Sequence, residues 1–334
     1  MQPNTSQLRM KAMIYTRYGP PEVVRMQEVD VPAVKADDVL VRVHATTVSR
    51  TDCGFRSANY FIVRFFSGLL KPRVKILGCE FAGKIEAVGK NVRSFKPGDR
   101  VFGYDDTHFG GHGEYKVMAA SGALATIPGG MDYTEAAPLT EGSHYALGNI
   151  RAASVKKGDT VMVYGATGAI GSAAVQLLKH FGAYVVAVSN TRNVKLVASL
   201  GADEVIDYQT QHFTETWHRF DFIFDAVGKC SFRQCKPLLK PKGIYISTEL
   251  GRNSENVFLA LVSPLGKGRK VLFPIPSITQ SDVVTIRNLV ESGDFKPVID
   301  RTYPFERLVE AYRYVETGQK TGNVVISLEN SDPP

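Results

Sequence analysis

TVMVYGATGAIGSAAVQLLKHFGA, Thr160 to Ala183, is the stretch whose reading decides the fold. TVMVYG is a short apolar strand, and AIGSAAVQLLKHFGA has helical periodicity and ends near Gly182. Gly165, Gly168 and Gly171 lie between the two, spaced G-x-x-G-x-x-G. Glycine permits a tight turn, close approach of a pyrophosphate to the backbone, and close packing of helix on sheet. The helix N-terminus adds free N–H donors and a dipole that favours an anion. Strand, glycines and helix in this order predict a dinucleotide site at Gly165, Thr167, Gly168, Ala169, Ile170 and Gly171, against a plain strand-to-helix turn.

The pattern repeats outward. YVVAVS reads as a second strand, NVKLVASLGA as a second helix closed by Gly201, and EVIDY, FDFIFDAVG and GIYISTEL as further strands. Alternating strands and helices imply a parallel sheet covered on both faces. The end of the second strand selects the cofactor. An NAD site usually carries an acid there for the ribose 2′-OH. This chain has AVSNTRNVKL, in which Ser189, Asn190, Thr191, Arg192 and Lys195 offer donors and positive charge and no acid occurs. NADPH is therefore expected over NADH, unless the loop is polar for other reasons.

Residues from about 10 to 130 have a different texture. KAMIY, DVLVRVHATTV, FAGKIEAVG and EYKVMAA are β-type runs between turn signals such as Lys96-Pro97-Gly98-Asp99. A compact, mainly β domain is expected there. The last region, SDVVTIRNLVESGDFKPVIDRTYPFERLVEAYRYVETGQKTGNVVISL, reads as two helices and a closing strand that return to the first domain. The expected boundaries are 1–132 with 277–334 for the mainly β domain and 133–276 for the doubly wound α/β domain.

Composition narrows the class. With 334 residues the chain is long enough for two cored domains. The net charge of +7 is spread out, without a basic run interleaved with aromatics, so nucleic-acid binding is not expected. The longest apolar region, YFIVRFFSGLLKP, is broken by Arg64, Ser67 and Gly68 and falls short of a membrane span. The first residues, MQPNTSQLRMKAMIY, carry no apolar signal core. Four cysteines in this length do not form a disulfide framework. A cytoplasmic protein with reduced thiols and no membrane partner is expected.

The chain from about Lys11 to Leu328 resembles the medium-chain dehydrogenase/reductase superfamily. The resemblance rests on GCEFAGKIEAVGKNVRSFKPGDRVFG, EAAPLTEGSHYAL, the glycine loop, LGADEVIDY, FDAVG and TGNVVISL. It implies a GroES-like β domain split in sequence beside a Rossmann domain, with the active site in the cleft between them. It also implies further cofactor positions: Tyr208 near the 2′-phosphate, Val227 and Gly228 at the ribose, Thr248 near the nicotinamide. Phe273 and Asn323 are cofactor contacts or ordinary sheet-edge residues.

Zinc-dependent members of that superfamily place catalytic ligands at positions that look like Ser49, Cys79 and Thr140 here. Hydroxyls are poor zinc ligands beside thiolate and imidazole. The four clustered cysteines of a structural zinc are missing after Gly98-Asp99-Arg100-Val101, and His108 and His112 lie in a glycine-rich loop rather than on one helix face. No metal is expected. The chain therefore resembles the zinc-independent quinone oxidoreductase branch, whose substrate loop reads roughly N-x-x-D-x-x-x-R-x-G-x-Y. Asp52, Arg56 and Tyr60 keep that pattern, while Ser49 and Ala58 depart from it.

The expected activity is hydride transfer from NADPH to a quinone, enone or enal, a small conjugated carbonyl that spreads its growing negative charge without a metal. Tyr60 is the candidate proton or hydrogen-bond donor, or alternatively an aromatic wall. Arg56 and Ser49 assist, and Asp52 orients the loop. Phe61, Phe65 and Phe66 are read as core, with a substrate-lining role as the other possibility. The rival readings are a zinc alcohol dehydrogenase and a non-catalytic, crystallin-like NADPH-binding protein. RKVLFPI is a candidate edge strand through which two copies would pair, so a homodimer is expected.

Overall fold

The computed structural model describes residues 8–59, 61–263, 266 and 268–329. Contacts divide the chain into two units, one comprising residues up to Glu141 with Ile278–Glu291 and residues from Ile299 onward, the other Gly142–Ser277 with Ser292–Val298. The sequence reading divides the chain after 132 and after 276.

The first unit opens with an antiparallel pair, β1 (Arg9–Ile14) and β2 (Arg25–Asp30). Next come β3 (Asp38–Thr47), helices α1 (Arg50–Ser57) and α2 (Phe61–Ser67), and strands β4 (Glu80–Val88), β5 (Arg100–Tyr104), β6 (Tyr115–Ala119) and β7 (Leu124–Thr126). A short helix α3 (Tyr133–Ala136) ends this run, and α4 (Glu141–Ala153) belongs from Gly142 onward to the second unit. The strands are β-rich where the sequence alternates. Val39, Val41 and Val43 of β3 point to one face and meet Phe81, Ile85, Val101 and Leu124 in a closed core. Each such side chain contributes ~1.5–3 kcal/mol on burial.

The second unit is the parallel sheet. Its elements are β8 (Thr160–Tyr164), α5 (Ala169–His180), β9 (Tyr184–Ser189), α6 (Val194–Ser199), β10 (Glu204–Asp207), β11 (Phe220–Asp225), α7 (Phe232–Cys235), β12 (Leu239–Ser247), α8 (Glu255–Val262) and β13 (Lys270–Leu272). The strand order is β10-β9-β8-β11-β12-β13, all parallel. Val161, Met162, Val163 and Val185 to Val188 are fully buried because helices cover both faces, which is why these strands read as apolar runs without alternation. RKVLFPI supplies the edge strand β13.

The chain then returns to the first unit through α9 (Gln280–Glu291), β14 (Ile299–Pro304), α10 (Leu308–Glu316) and β15 (Asn323–Ser327). Strand β15 pairs with β3 and completes a seven-stranded order β14-β15-β3-β4-β5-β7, with β6 also on β3. The sequence reading missed β14, whose residues IDRTYP are half-exposed and end in proline, so they carry little strand signal.

One core expectation is overturned. Phe61, Phe65 and Phe66 are exposed rather than buried, and so are Leu69 and Leu70 beyond them. Tyr18 sets how α2 is turned: its hydroxyl bonds Ser67 Oγ at 2.8 Å and the Gly68 carbonyl at 2.6 Å, so buried Ser67 faces inward and the rings face outward.

Candidate active site

In the second unit the expected cofactor residues gather along one edge of the sheet, each just beyond the C-terminal end of a parallel strand. Gly165 follows β8, Ser189 ends β9, Tyr208 follows β10, Val227 and Gly228 follow β11, Thr248 follows β12 and Phe273 follows β13. The order runs outward in both directions from β8 and β11, so the glycine loop sits at the switch point where open α/β sheets bind ligands. Asn323 belongs to the first unit, at the start of β15.

The loop has the shape of an anion cradle. Gly165 has φ +80°, and a Cβ there would lie 2.5 Å from Val227 Cγ2. Gly168 is the N-cap of α5 and carries no side-chain cap, so the first-turn N–H groups are left to a ligand. A Cβ on Gly168 would have its nearest neighbour 3.9 Å away, which leaves open space in front of the helix end. These residues fit the pyrophosphate of a dinucleotide.

Beyond β9, Arg192 and Lys195 are exposed, as a phosphate-binding pair requires. Asn190 caps the turn through Asn193 N at 3.1 Å. Thr191 directs its hydroxyl to Asp207 Oδ2 at 2.5 Å, so it braces the loop rather than facing outward as a free donor. Asp225 organises the loop after β11. It is fully buried and accepts N–H bonds from Val227, Lys229 and Cys230, each at 3.2 Å, and the Ser247 hydroxyl at 3.3 Å, while the Tyr245 hydroxyl beside it donates to the Cys230 carbonyl at 2.6 Å. Burial raises its carboxyl above the usual range against those bonds.

In the first unit, Ser49 and Asp52 form a capping box at the start of α1. Asp52 accepts from Ser49 N at 3.0 Å, Ser49 Oγ at 2.9 Å and Gly78 N at 2.9 Å, fixing α1 to the loop before β4. Arg56 is fully buried. Its guanidinium donates to the Gly19 carbonyl, pairs with Glu316 of α10 and lies 5.1 Å from the Tyr312 ring centroid. These contacts make it a clamp between α1 and α10. Tyr60 lies outside the described residues. Ala58, at the C-cap of α1, stands at φ +45°, the left-handed region suited to the glycine of the resembled loop.

The three positions compared with zinc ligands are close together but chemically changed. Ser49 Oγ is 3.7 Å from Cys79 Sγ, and Thr140 donates to Glu80 Oε1 at 2.9 Å. The Cys79 thiol donates to Glu141 Oε2 at 3.2 Å, and burial holds it well above its usual range, protonated. His112 Nε2 bonds the Thr47 carbonyl at 2.8 Å, while His108 is exposed beside Asp105. One protonated thiol and two hydroxyls already engaged by carboxylates do not fit a zinc ion. Among the described residues no group of three or more His, Cys, Asp or Glu is placed to hold a metal.

Glu80 and Glu141 are not among the expected site residues, yet both are central to this cluster. Glu80 accepts from Thr47 Oγ1, Thr140 N, Thr140 Oγ1 and Glu141 N, and Glu141 accepts from Thr51 Oγ1 at 2.8 Å. Burial, then the Glu141 charge, push Glu80 up to about 8. Burial, then Asp52, raise Glu141. The available signal was position alone: each acid directly follows one of the compared residues, Cys79 and Thr140.

Comparison with known proteins agrees with this arrangement. The alcohol dehydrogenase GroES-like domain family matches residues 35–140, and the zinc-binding dehydrogenase family matches residues 200–326. The chain is 32% identical over 331 residues to 2-methylene-furan-3-one reductase of Solanum lycopersicum, covering 95% of this chain and 79% of that one. It is 30% identical to the NADPH-dependent alkenal/one oxidoreductase, chloroplastic, of Arabidopsis thaliana, with the same coverages of 95% and 79%. The structure of the quinone oxidoreductase from Coxiella burnetii has the same fold, with a TM-score of 0.86 at 24% identity over 96% of this chain and all of that one. The chain belongs to the medium-chain dehydrogenase/reductase superfamily, in its quinone oxidoreductase branch. It is an oxidoreductase built from a GroES-like domain and a Rossmann-type parallel-sheet domain.

Proposed function

We propose that the protein reduces a quinone, enone or enal with NADPH and does so without zinc. The observation that carries the reading is the pair of hydroxyls, Ser49 and Thr140, that stand at zinc-ligand positions and donate to Asp52 and Glu80 instead. NADPH, when bound, supplies the hydride. The glycine loop and the first turn of α5 hold its pyrophosphate, and Arg192 and Lys195 meet the 2′-phosphate. Asp225 keeps Val227 and Gly228 in place for the ribose, with Tyr208, Thr248 and Phe273 on the same edge.

A conjugated acceptor takes the hydride as an electron pair and becomes an enolate or phenolate, which one proton then neutralises. Tyr60 is the proposed donor at that oxygen. Asp52 and the buried Arg56 hold the loop that carries it, and Ser49 lies at the head of the same helix. The enone and alkenal reductases among the relatives support this choice of acceptor. Four free cysteines support a reducing compartment, and we place the protein in the cytoplasm. We also propose a homodimer through β13, beside which Phe258, Leu261 and Ile275 are exposed, and no nucleic-acid partner.

The test is NADPH oxidation over a panel of quinones, enals and enones, with NADH alongside and zinc measured in the same preparation. Turnover with NADPH in zinc-free protein is expected. Tight NADPH binding without turnover on any conjugated acceptor, or activity that tracks one bound zinc per chain, would overturn the proposal. Tyr60→Phe should lose most turnover with NADPH affinity retained; full activity would remove Tyr60 as donor.

A further inference from the structure

The segment after α1 is an exposed apolar surface rimmed by positive charge. Phe66 is 75% exposed and Leu70 93%, and Phe61, Phe65 and Leu69 are each more than half exposed. Phe61 and Phe65 stack edge-on with centroids 5.4 Å apart, so the rings form one patch. Lys71, Arg73 and Lys75 follow, all exposed, and Arg64 lies 5.1 Å from the Tyr18 ring centroid. No Asp or Glu occurs between Asp52 and Glu80. Asp106, an exposed acid, lines the same cavity as Phe66.

The segment is also held in shape. Tyr18 bonds Ser67 and Gly68, and Arg73 N donates to the Ser67 carbonyl at 2.8 Å. A structured patch of aromatic and leucine side chains exposed to water costs free energy unless something covers it. The combination of Phe and Leu with flanking Lys and Arg suits the interface of an anionic bilayer, where rings and leucines enter the headgroup boundary and cations meet lipid phosphates. Among the described residues no helix is long and apolar enough to cross a membrane, so the surface would lie on the bilayer rather than span it.

We propose that residues Phe61 to Lys75 form a docking surface for an anionic membrane. The sequence reading expected no membrane partner because no apolar run is long enough to span a bilayer. A surface that lies on the bilayer needs no such run. The inference does not rest on the proposed acceptor: a chain that binds vesicles and reduces no quinone leaves it standing.

The experiment is co-sedimentation of the full chain with vesicles of phosphatidylcholine plus phosphatidylserine, and of phosphatidylcholine alone. Binding to the anionic vesicles that weakens with salt is expected, with much weaker binding to the neutral ones. Lys71→Gln with Arg73→Gln should weaken it about 25-fold, at about fivefold per cation removed. Leu69→Ser with Leu70→Ser should abolish it while thermal unfolding stays unchanged. Wild-type protein that ignores anionic vesicles overturns the proposal, and so does binding that both double variants retain. Self-association lost in Leu69→Ser/Leu70→Ser, without vesicle binding, also overturns it and assigns the patch to a second copy.

Discussion

A Cβ on Gly171 would lie 2.1 Å from the carbonyl oxygen of Gly165. Helix α5 therefore rests directly on the turn that precedes it. Gly168, between them, faces open space. The two glycines should fail differently. Gly171→Ala should destabilise the fold by ~1–3 kcal/mol through forced backbone movement. Gly168→Ala should leave thermal unfolding nearly unchanged and weaken NADPH binding at least tenfold in a fluorescence titration, because the methyl group enters the space offered to the pyrophosphate.

Arg192 and Lys195 should decide the cofactor. Replacing both by alanine should weaken NADPH about tenfold or more and leave NADH almost unaffected, since only the former brings a 2′-phosphate to pair with them. Equal losses with both cofactors would point to collapse of the loop instead. Raising salt should reduce the difference, because both side chains are exposed.

Lys116 is buried, donates to Asp105 Oδ2 at 2.9 Å and to the Phe109 carbonyl, and lies 5.5 Å from the Phe81 ring centroid. Asp105→Ala should cost ~3–5 kcal/mol in denaturant unfolding, since it leaves a buried ammonium without its counter-charge. Asp105→Asn with Lys116→Met should recover much of that loss.

Glu80 gives the pH dependence a sign. Its carboxyl rises from 4.5 to about 8 on folding. Between those values the folded chain holds a proton that the unfolded chain has released, so stability from this group is full at low pH and is lost as pH rises through about 8. Urea unfolding across that window should show the decline in wild type. Glu80→Gln should flatten it.

Ala58 carries backbone strain at φ +45°. Ala58→Gly should stabilise the fold by ~1 kcal/mol, the cost of holding an L-residue in the left-handed region less the added freedom of glycine when unfolded. Proline at the same position should destabilise it, because the ring fixes φ near −65°.

The parallel sheet was readable because its signals are local. Apolar runs and the three glycines lie within short windows, and they mark the parallel strands and the strand-to-helix turn that the structure has. The first unit's site was less readable because its decisive contacts are distant in sequence. Arg56 looked like a substrate-loop cation, but its partner Glu316 lies 260 residues away. Lys116 sits in a strand whose pattern gives no hint of a buried ion pair. The phenylalanines of α2 looked like core because composition does not report which way a short helix turns. Glu80 and Glu141 acquire meaning only once β4 and α4 bring them together.

Asp225 has a kinetic consequence. Because four donors hold its carboxyl and the loop after β11, the wall proposed for the ribose needs no cofactor to take its shape. A ligand meeting that wall has little of it left to order. Loosening it, as in Asp225→Ala, should slow capture of NADPH as well as hasten its escape, because the encounter would then have to wait for the loop to find its shape.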